Sequence, residues 1–384
     1  APKIFRSKVM AIFILVFTDM KIKDIINVLE SVAPPALQES YDNAGLLTGN
    51  REEECTGILC TLDSTESVIE EAIAQKCNLV IAHHPVIFRG LKRITGKNYV
   101  ERTIIKAIKH DIAIYAIHTN LDNILTGVNG KMADRLGLIN RQILLPKNAV
   151  LKKLYTFVPQ SHAEKLRQAL WDAGAGYIGN YSECSFNTEG TGTFKGGTNT
   201  TPFVGEKDKL HYEKEMKIEV IFPGWLLSRI IPALISAHPY EEPAFDIIAL
   251  DNQHAGVGSG LTGYLPEPVE EKAFLNLIKQ KFDLQVIRHT PLTGRPIQKV
   301  SLCGGSGSFL IPNALGANSD IYITADVKYH EFFDADGKMV LADIGHFESE
   351  QFTIELLYDI LVEKFPTFAV LKTAVNTNPL VYFA

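Results

Sequence analysis

Near-continuous apolar runs that end in metal-capable side chains limit most strongly what this 384-residue chain can fold into. Cys77 to Ala82 runs directly into His83 and His84, and Ile112 to Ile117 runs into His118, Thr119, Asn120, Leu121 and Asp122. Ile321 to Ala325 leads to Asp326 and His330, and Met339 to Ala342 leads to Asp343, His346, Glu348 and Glu350. Apolar runs of about four to eight residues describe strands buried on both faces, as in a parallel sheet covered by helices. Open α/β sheets bind ligands in the crevice beyond the carboxyl ends of their strands. Four such ends bearing His, Asp and Glu are therefore expected to converge on one crevice.

The order of elements around these runs gives the fold class. Ile22, Ile25, Ile26 and Leu29 follow helical spacing ahead of Pro34-Pro35, and Tyr41 to Gly49 reads as a turn-rich segment. A strand from Gly57 to Leu62 and a helix from Ser64 to Lys76, capped by Ser64 or Thr65, follow. The strand to Ala82, a helix from Tyr99 to His110 and the strand to Ile117 complete a β-α-β-α-β alternation.

The pattern changes near residue 150. Strand Leu154 to Pro159, helix Ala163 to Ala173, strand segments at Glu183 to Phe186 and Gly190 to Phe194, strand Lys217 to Phe222, helix Leu226 to Ala237 and strand Phe245 to Leu250 give the order of a ferredoxin-like domain. After Gly256 to Gly260 the first style resumes, with a helix from Val269 to Phe282, strands Gln285 to Arg288 and Lys299 to Cys303, and a C-terminal helix from Ser349 to Lys364. The expectation is a split α/β/α domain with a central, largely parallel sheet, formed by residues 20–148 and 252–384 and interrupted by a ferredoxin-like α+β domain at residues 149–251.

A formal charge of −6 and a pI near 6.0 provide no basic field for nucleic acid or anionic membrane. No run approaches the roughly 18 to 20 apolar residues of a membrane span. Five scattered cysteines without a C-x-x-C pair read as reduced thiols of a cytoplasmic protein. Lys3, Arg6 and Lys8 before the apolar run Val9 to Phe17 imitate a secretory leader, but no small-residue cleavage site follows, so residues 1–19 read as an extension outside the fold.

His346 and Glu350 are four apart and share a face of any helix that starts near Gly345, so both can reach one ion; singly they read as a helix-start residue and a surface carboxylate. His83 and His84 point in divergent directions on a strand, which suits two ions better than one, although a lone His-His pair is as often packing or capping. Paired metals roughly 3.5 to 4 Å apart are a hydrolytic arrangement, and Asp122 or Glu350 could bridge them. Imidazole with carboxylate and no thiolate favours zinc, manganese, iron or cobalt, in the role of activating water. His118, His330, Asp326 and Asp343 are then groups that orient ligands or carry protons.

Two further segments have bland readings beside the functional ones. Gly304 to Ser308 follows a strand and could form an anion nest at a helix start, yet a tight strand-to-helix turn explains it equally. His238 to Pro243 could be a ligand cluster, but its two prolines favour a rigid connection.

Taken in order, Asp42-Asn43-x-Gly45-Leu46, Leu62-Asp63-x-Thr65, His83-His84-Pro85, His118-Thr119-Asn120-Leu121-Asp122, Thr324-Ala325-Asp326 with His330, and Gly345-His346-x-x-x-Glu350 resemble the Ngg-interacting-factor-three-like family of dinuclear metal-centre proteins, many of which carry the name GTP cyclohydrolase I type 2. The resemblance runs from about residue 20 to the C-terminus, with Ala325 standing where glycine is expected. It implies two divalent metal ions, zinc foremost, held by His83, His84, Asp122, His346 and Glu350, with Glu350 bridging. It also implies a toroidal homohexamer whose sites face an inner cavity, with the middle region as a PII-like or CutA-like insert that caps the toroid.

Two functions follow as expectations. The first is a metal-dependent hydrolase of a nucleotide or related small molecule, opening the purine imidazole ring as a type 2 cyclohydrolase does. The second is a non-catalytic metal-binding or ligand-sensing hexameric assembly. A metallophosphoesterase ranks behind both, because the Asp-rich segments of that class are missing.

Overall fold

Short, wholly buried strands form the centre of each unit in the computed structural model, which describes residues 20–383. The extension expected at residues 1–19 lies outside the described residues. The described chain divides into two compact units: residues 20–32, 43–117 and 357–377, and residues 33–42, 118–356 and 378–383.

In the first unit, helix α1 (Ile22–Val32) precedes β1 (Gly45–Thr48), β2 (Ile58–Thr61), α2 (Glu66–Ala74), β3 (Leu79–Ala82), α3 (Tyr99–Lys109) and β4 (Ala113–Ala116). The sheet runs β1-β4-β3-β2 and ends on the strand Val370–Lys372. All pairs are parallel except β1 with β4. Every residue of β2, β3 and β4 is buried, as their unbroken apolar composition predicts for strands with both faces covered. Thr65 caps α2 by accepting from the Val68 amide, and Asn98 caps α3 through the Glu101 amide.

The second unit begins with the single-turn helix α4 (Thr119–Asp122), then α5 (Val128–Leu136) and β5 (Ile139–Pro146). The chain next builds β6 (Leu151–Pro159), α6 (Ala163–Asp172), β7 (Phe186–Lys195), β8 (Leu210–Pro223), α7 (Leu227–Ala237) and β9 (Phe245–Ala249). These strands form a separate antiparallel sheet in the order β7-β8-β6-β9, the order of a ferredoxin-like βαββαβ unit. It has its own core, in which Leu154, Leu166, Leu170, Ile218, Phe222, Ile230 and Leu234 are buried together.

The chain then returns as β10 (Gly258–Val269), which pairs antiparallel with β5, so the four-stranded sheet is inserted between two neighbouring strands. After α8 (Glu271–Lys281) come β11 (Arg288–His289), β12 (Ile297–Ser306), α9 (Ile311–Gly316), β13 (Ile321–Ala325), β14 (Val340–Asp343) and α10 (His346–Glu350). Their sheet runs β11-β14-β13-β12-β10-β5, parallel at its centre and antiparallel towards both edges.

One expectation changes here. The two flanking segments form two sheets rather than one central sheet. A buried apolar run shows that a strand is covered on both faces, but it carries no information about which strand lies beside it. Among the described residues, no helix is long and apolar enough to cross a membrane.

Candidate metal centre

The first unit supplies two imidazoles at the end of β3. The ladder continues past Ala82: the His83 amide donates to Thr61 O at 3.2 Å and the His84 amide to Leu62 O at 2.9 Å. The His83 Nδ1 lies 2.9 Å from Ile117 O, just beyond β4, whereas the His84 Nδ1 lies 2.8 Å from Asp63 Oδ1, just beyond β2. Because β4 and β2 flank β3 on opposite sides, the two rings are tethered in opposite directions while their centroids stay 4.9 Å apart. Thr377 Oγ1 donates to the other Asp63 oxygen at 2.6 Å, which holds that carboxylate towards His84.

The second unit carries its own set of imidazoles and carboxylates. Gly345 precedes α10 with φ +92°, and a Cβ there would stand 2.2 Å from Glu348 Oε2, so only glycine fits this entry to the helix. One turn of α10 then places the His346 Nε2 3.1 Å from Glu350 Oε2. Asp326 leaves β13 in the left-handed region at φ 55°, and its Oδ2 meets the His346 Nδ1 at 2.7 Å while accepting from the Ser306 hydroxyl. Burial alone would lower the His346 pKa, but the Glu350 charge and the hydrogen bonds to Asp326 and Glu350 outweigh it and raise it to about 11. The position therefore favours positive charge.

The rest of this constellation is fixed through β12. Gly305, with φ +61°, lies so close to the buried Glu350 that a Cβ would stand 2.3 Å from its Oε1. The Gly305 amide donates to Ser349 Oγ at 2.9 Å, and that hydroxyl donates to His346 O at 2.8 Å. Asn129, on α5, accepts from the Gly304 amide and donates to Asp122 O, joining β12 to the end of α4. For Gly304 to Ser308 the strand-to-helix turn is the reading that fits, since the Gly304 and Gly305 amides are consumed by side chains, β12 continues through Ser306 and a helix follows. Burial pushes the neighbouring Cys303 thiol far above its ordinary range, and the charges of Asp122 and Glu350 push it further, so this cysteine offers no thiolate.

His118 stands just ahead of α4, with its Nδ1 2.8 Å from Asp42 Oδ1. Asp42 also accepts from the Thr119 amide at 3.1 Å. Burial raises the Asp42 pKa, but the hydrogen bonds from His118 and Thr119 and the His118 charge prevail and lower it to about 2.

One rule runs through all four histidines. His83, His84, His118 and His346 each engage Nδ1 with an oxygen acceptor, three of them with a carboxylate. An imidazole held at Nδ1 by an oxygen is fixed in orientation with Nε2 turned away from that partner, which is how metal-ligating histidines are held. Imidazole and carboxylate donors of this kind could bind metal ions, and their chemistry fits a hard or borderline divalent cation.

The remaining expected residues have other partners. His330 sits on the 3-10 turn Tyr329–Ala335, where its ring contacts are Tyr329 and Phe333. Asp343 accepts from the Val327 and Gly345 amides and pairs with Arg288, which is structural work. His238 engages Phe157 O through Nε2 and the Tyr240 amide through Nδ1, so the His238 to Pro243 segment is the rigid connection expected.

A family model described as Duf34/NIF3 (NGG1p interacting factor 3) matches residues 20–379. The chain belongs to this family. Among NIF3 relatives, the "GTP cyclohydrolase 1 type 2 homolog" of Halalkalibacterium halodurans is 40% identical over 364 residues, covering 93% of this chain and 98% of the relative. The crystal structure of a Bacillus cereus protein related to NIF3 superposes with a TM-score of 0.84 at 37% identity, covering 95% of this chain and 100% of that one. Staphylococcus aureus protein SA1388 gives a TM-score of 0.75 at 30% identity, covering 95% and 99% of the two chains.

Asp63, Asn129, Ser349 and Gly305 were not predicted to shape the site. Asp63 stood in a recognisable motif, yet no spacing ties it to His84, 21 positions away. Asn129 and Ser349 carry no sequence signal at all.

Proposed function

We propose that this NIF3 protein holds two divalent metal ions, zinc foremost, through His83, His84, Asp122, His346 and Glu350, and hydrolyses a nucleotide or related small molecule with them. The observation that carries the reading is the shared tethering of the four imidazoles through Nδ1. When bound, a pair of such ions supplies Lewis-acid activation of water and charge neutralisation.

The chain's own residues do the rest. Asp63 and Asp326 orient His84 and His346, and Glu350, buried beside Gly305, is the carboxylate suited to bridge. His118, held by Asp42, presents Nε2 as the nitrogen that takes or gives a proton. The names of the relatives point to purine ring opening as the reaction class. In that hydrolysis, water adds its oxygen to C8 of the base and one proton to N7, the C8–N9 bond breaks, and the second proton passes to N9, leaving a formamide on N7. The same reading includes a toroidal homohexamer, capped by the four-stranded insert as in PII-like or CutA-like domains, and a cytoplasmic location.

The test is protein reconstituted with zinc or manganese and given a nucleotide panel that includes GTP, with loss of purine absorbance as the readout. Element-resolved metal analysis runs beside it on wild type and Glu350→Ala, and light scattering reports the oligomer. Turnover in the wild type and loss of both metals in the variant are expected. A fully loaded wild type without turnover on any nucleotide sinks the hydrolase reading, and unchanged metal content in the variant removes the bridge.

A further inference from the structure

Among the described residues, both helices of the ferredoxin-like unit pack on one face of its sheet. Along β8, Met216, Ile218, Val220 and Phe222 pack into the helix-covered core, so Glu213, Glu215, Lys217 and Glu219 belong to the opposite face. On that face lies a cavity of about 580 Å³, lined by Phe157, Phe194, Phe203, Glu215 and Tyr240 together with residues 188–196, 241, 242 and 244. Its volume is in the range of small-molecule sites.

The lining is aromatic with a single deep anion. Phe194 and Tyr240 have ring centroids 5.9 Å apart at 58°, and Phe203 and Tyr240 6.4 Å apart at 49°. Neither pair is stacked. The Glu215 side chain is buried at 7% exposure, accepts from the Tyr240 hydroxyl at 2.8 Å, and lies so close to Gly192 that a Cβ there would stand 2.0 Å from its Oε2. Glu189, Glu241 and Glu242 add negative charge to the lining against Lys195 and Lys217. Lys217 is already committed to Glu219 at 2.6 Å and to the face of Tyr155. Thr201 donates its amide to Glu241 at 2.9 Å, which ties the loop carrying Phe203 to the segment carrying Tyr240.

Clustered aromatic rings beside a buried carboxylate are a means by which proteins hold organic cations. We propose that this cavity binds a small organic cation of the quaternary or protonated amine class, seated among Phe194, Phe203 and Tyr240 against Glu215. The proposal is independent of the metal chemistry, because none of these residues is among the proposed metal ligands.

The experiment is isothermal titration calorimetry of the full chain with choline, beside 3,3-dimethylbutan-1-ol, its neutral carbon isostere. Saturable binding of one choline per chain, with no displacement by the isostere, is expected. Phe203→Leu and Glu215→Gln should each weaken it about 3- to 30-fold. Circular dichroism and zinc content monitor the fold. If Glu215→Gln disturbs the sheet, the half-exposed Phe203→Leu carries the test. Equal binding of choline and the isostere, no saturable binding, or affinity untouched by Phe203→Leu in the folded protein each overturns the proposal.

Discussion

Replacing Gly305 with alanine tests the second unit's constellation through one methyl group. The residue sits at φ +61°, where an L side chain costs about 1–2 kcal/mol. The added Cβ would also stand 2.3 Å from Glu350 Oε1, 3.2 Å from its Cδ and 3.3 Å from His346 Cε1. Because the Gly305 amide is bonded to Ser349, whose hydroxyl also holds His346 O, the backbone has little freedom to retreat. The carboxylate must turn instead, away from the position in which it faces His346 Nε2.

Two effects are therefore expected together: unfolding at lower denaturant by about 1–2 kcal/mol, and zinc affinity lower by roughly 10- to 100-fold, as when a supporting group is lost. Equilibrium denaturation and competition against a chromophoric chelator measure them. Gly316→Ala, at the end of α9 with open space around its Cβ position, is the control and should change neither quantity adversely. A Gly305→Ala protein that loses stability yet keeps wild-type zinc affinity would refute the assignment of Glu350.

Three further outcomes are expected. Asp63→Ala should cost little stability, since its side chain is a third exposed, while zinc affinity falls roughly 10- to 100-fold because His84 loses its tether; unchanged affinity would detach His84 from the site. Asp42, with its pKa lowered to about 2 against an ordinary 3.8, contributes stability that is present above the ordinary value and lost as pH falls towards 2. That contribution is on the order of 2 kcal/mol. Acid unfolding followed by near-UV circular dichroism should be shallower in Asp42→Asn, and parallel curves would contradict it. Glu101 accepts from the Thr95 amide and hydroxyl, the Lys97 amide and Asn98 Nδ2, so Glu101→Ala should cost about 1–3 kcal/mol. Trypsin should then cut faster at Lys92, Arg93 and Lys97, and an unchanged rate would show that other contacts hold this loop.

What the sequence made legible was whatever a local pattern encodes. The runs before His83, His118, Asp326 and Asp343 are β3, β4, β13 and β14, and the helical spacings gave α1, α2, α3 and α8. What stayed hidden depends on neighbours. Gly45–Thr48 reads as part of a turn-rich segment because four half-buried residues beginning with glycine carry no strand signature, yet β4 recruits them as its antiparallel edge. Val370–Lys372 is three residues long and becomes a strand only because β2 lies beside it. The helix expected from Ser349 to Lys364 is two helices, His346–Glu350 and Thr353–Lys364. Between them Gln351 donates to Phe282 O and Phe352 packs on Phe282, contacts that no i, i+4 pattern reports.

The adjacent histidines show where that boundary falls within a single motif. Strand alternation predicts that His83 and His84 diverge, and it does so without any knowledge of the fold. What holds each ring in its divergent pose is supplied by register instead. Parallel pairing sets Thr61 level with Ala82 and Ala82 level with Ala116, so the chains leaving β2 and β4 deliver Asp63 and Ile117 O to the two imidazoles from opposite sides. A slip of one residue in either pair would remove one acceptor and turn a side chain to the other face. The donors are thus a property of the sequence, and their tautomers and directions are a property of the sheet.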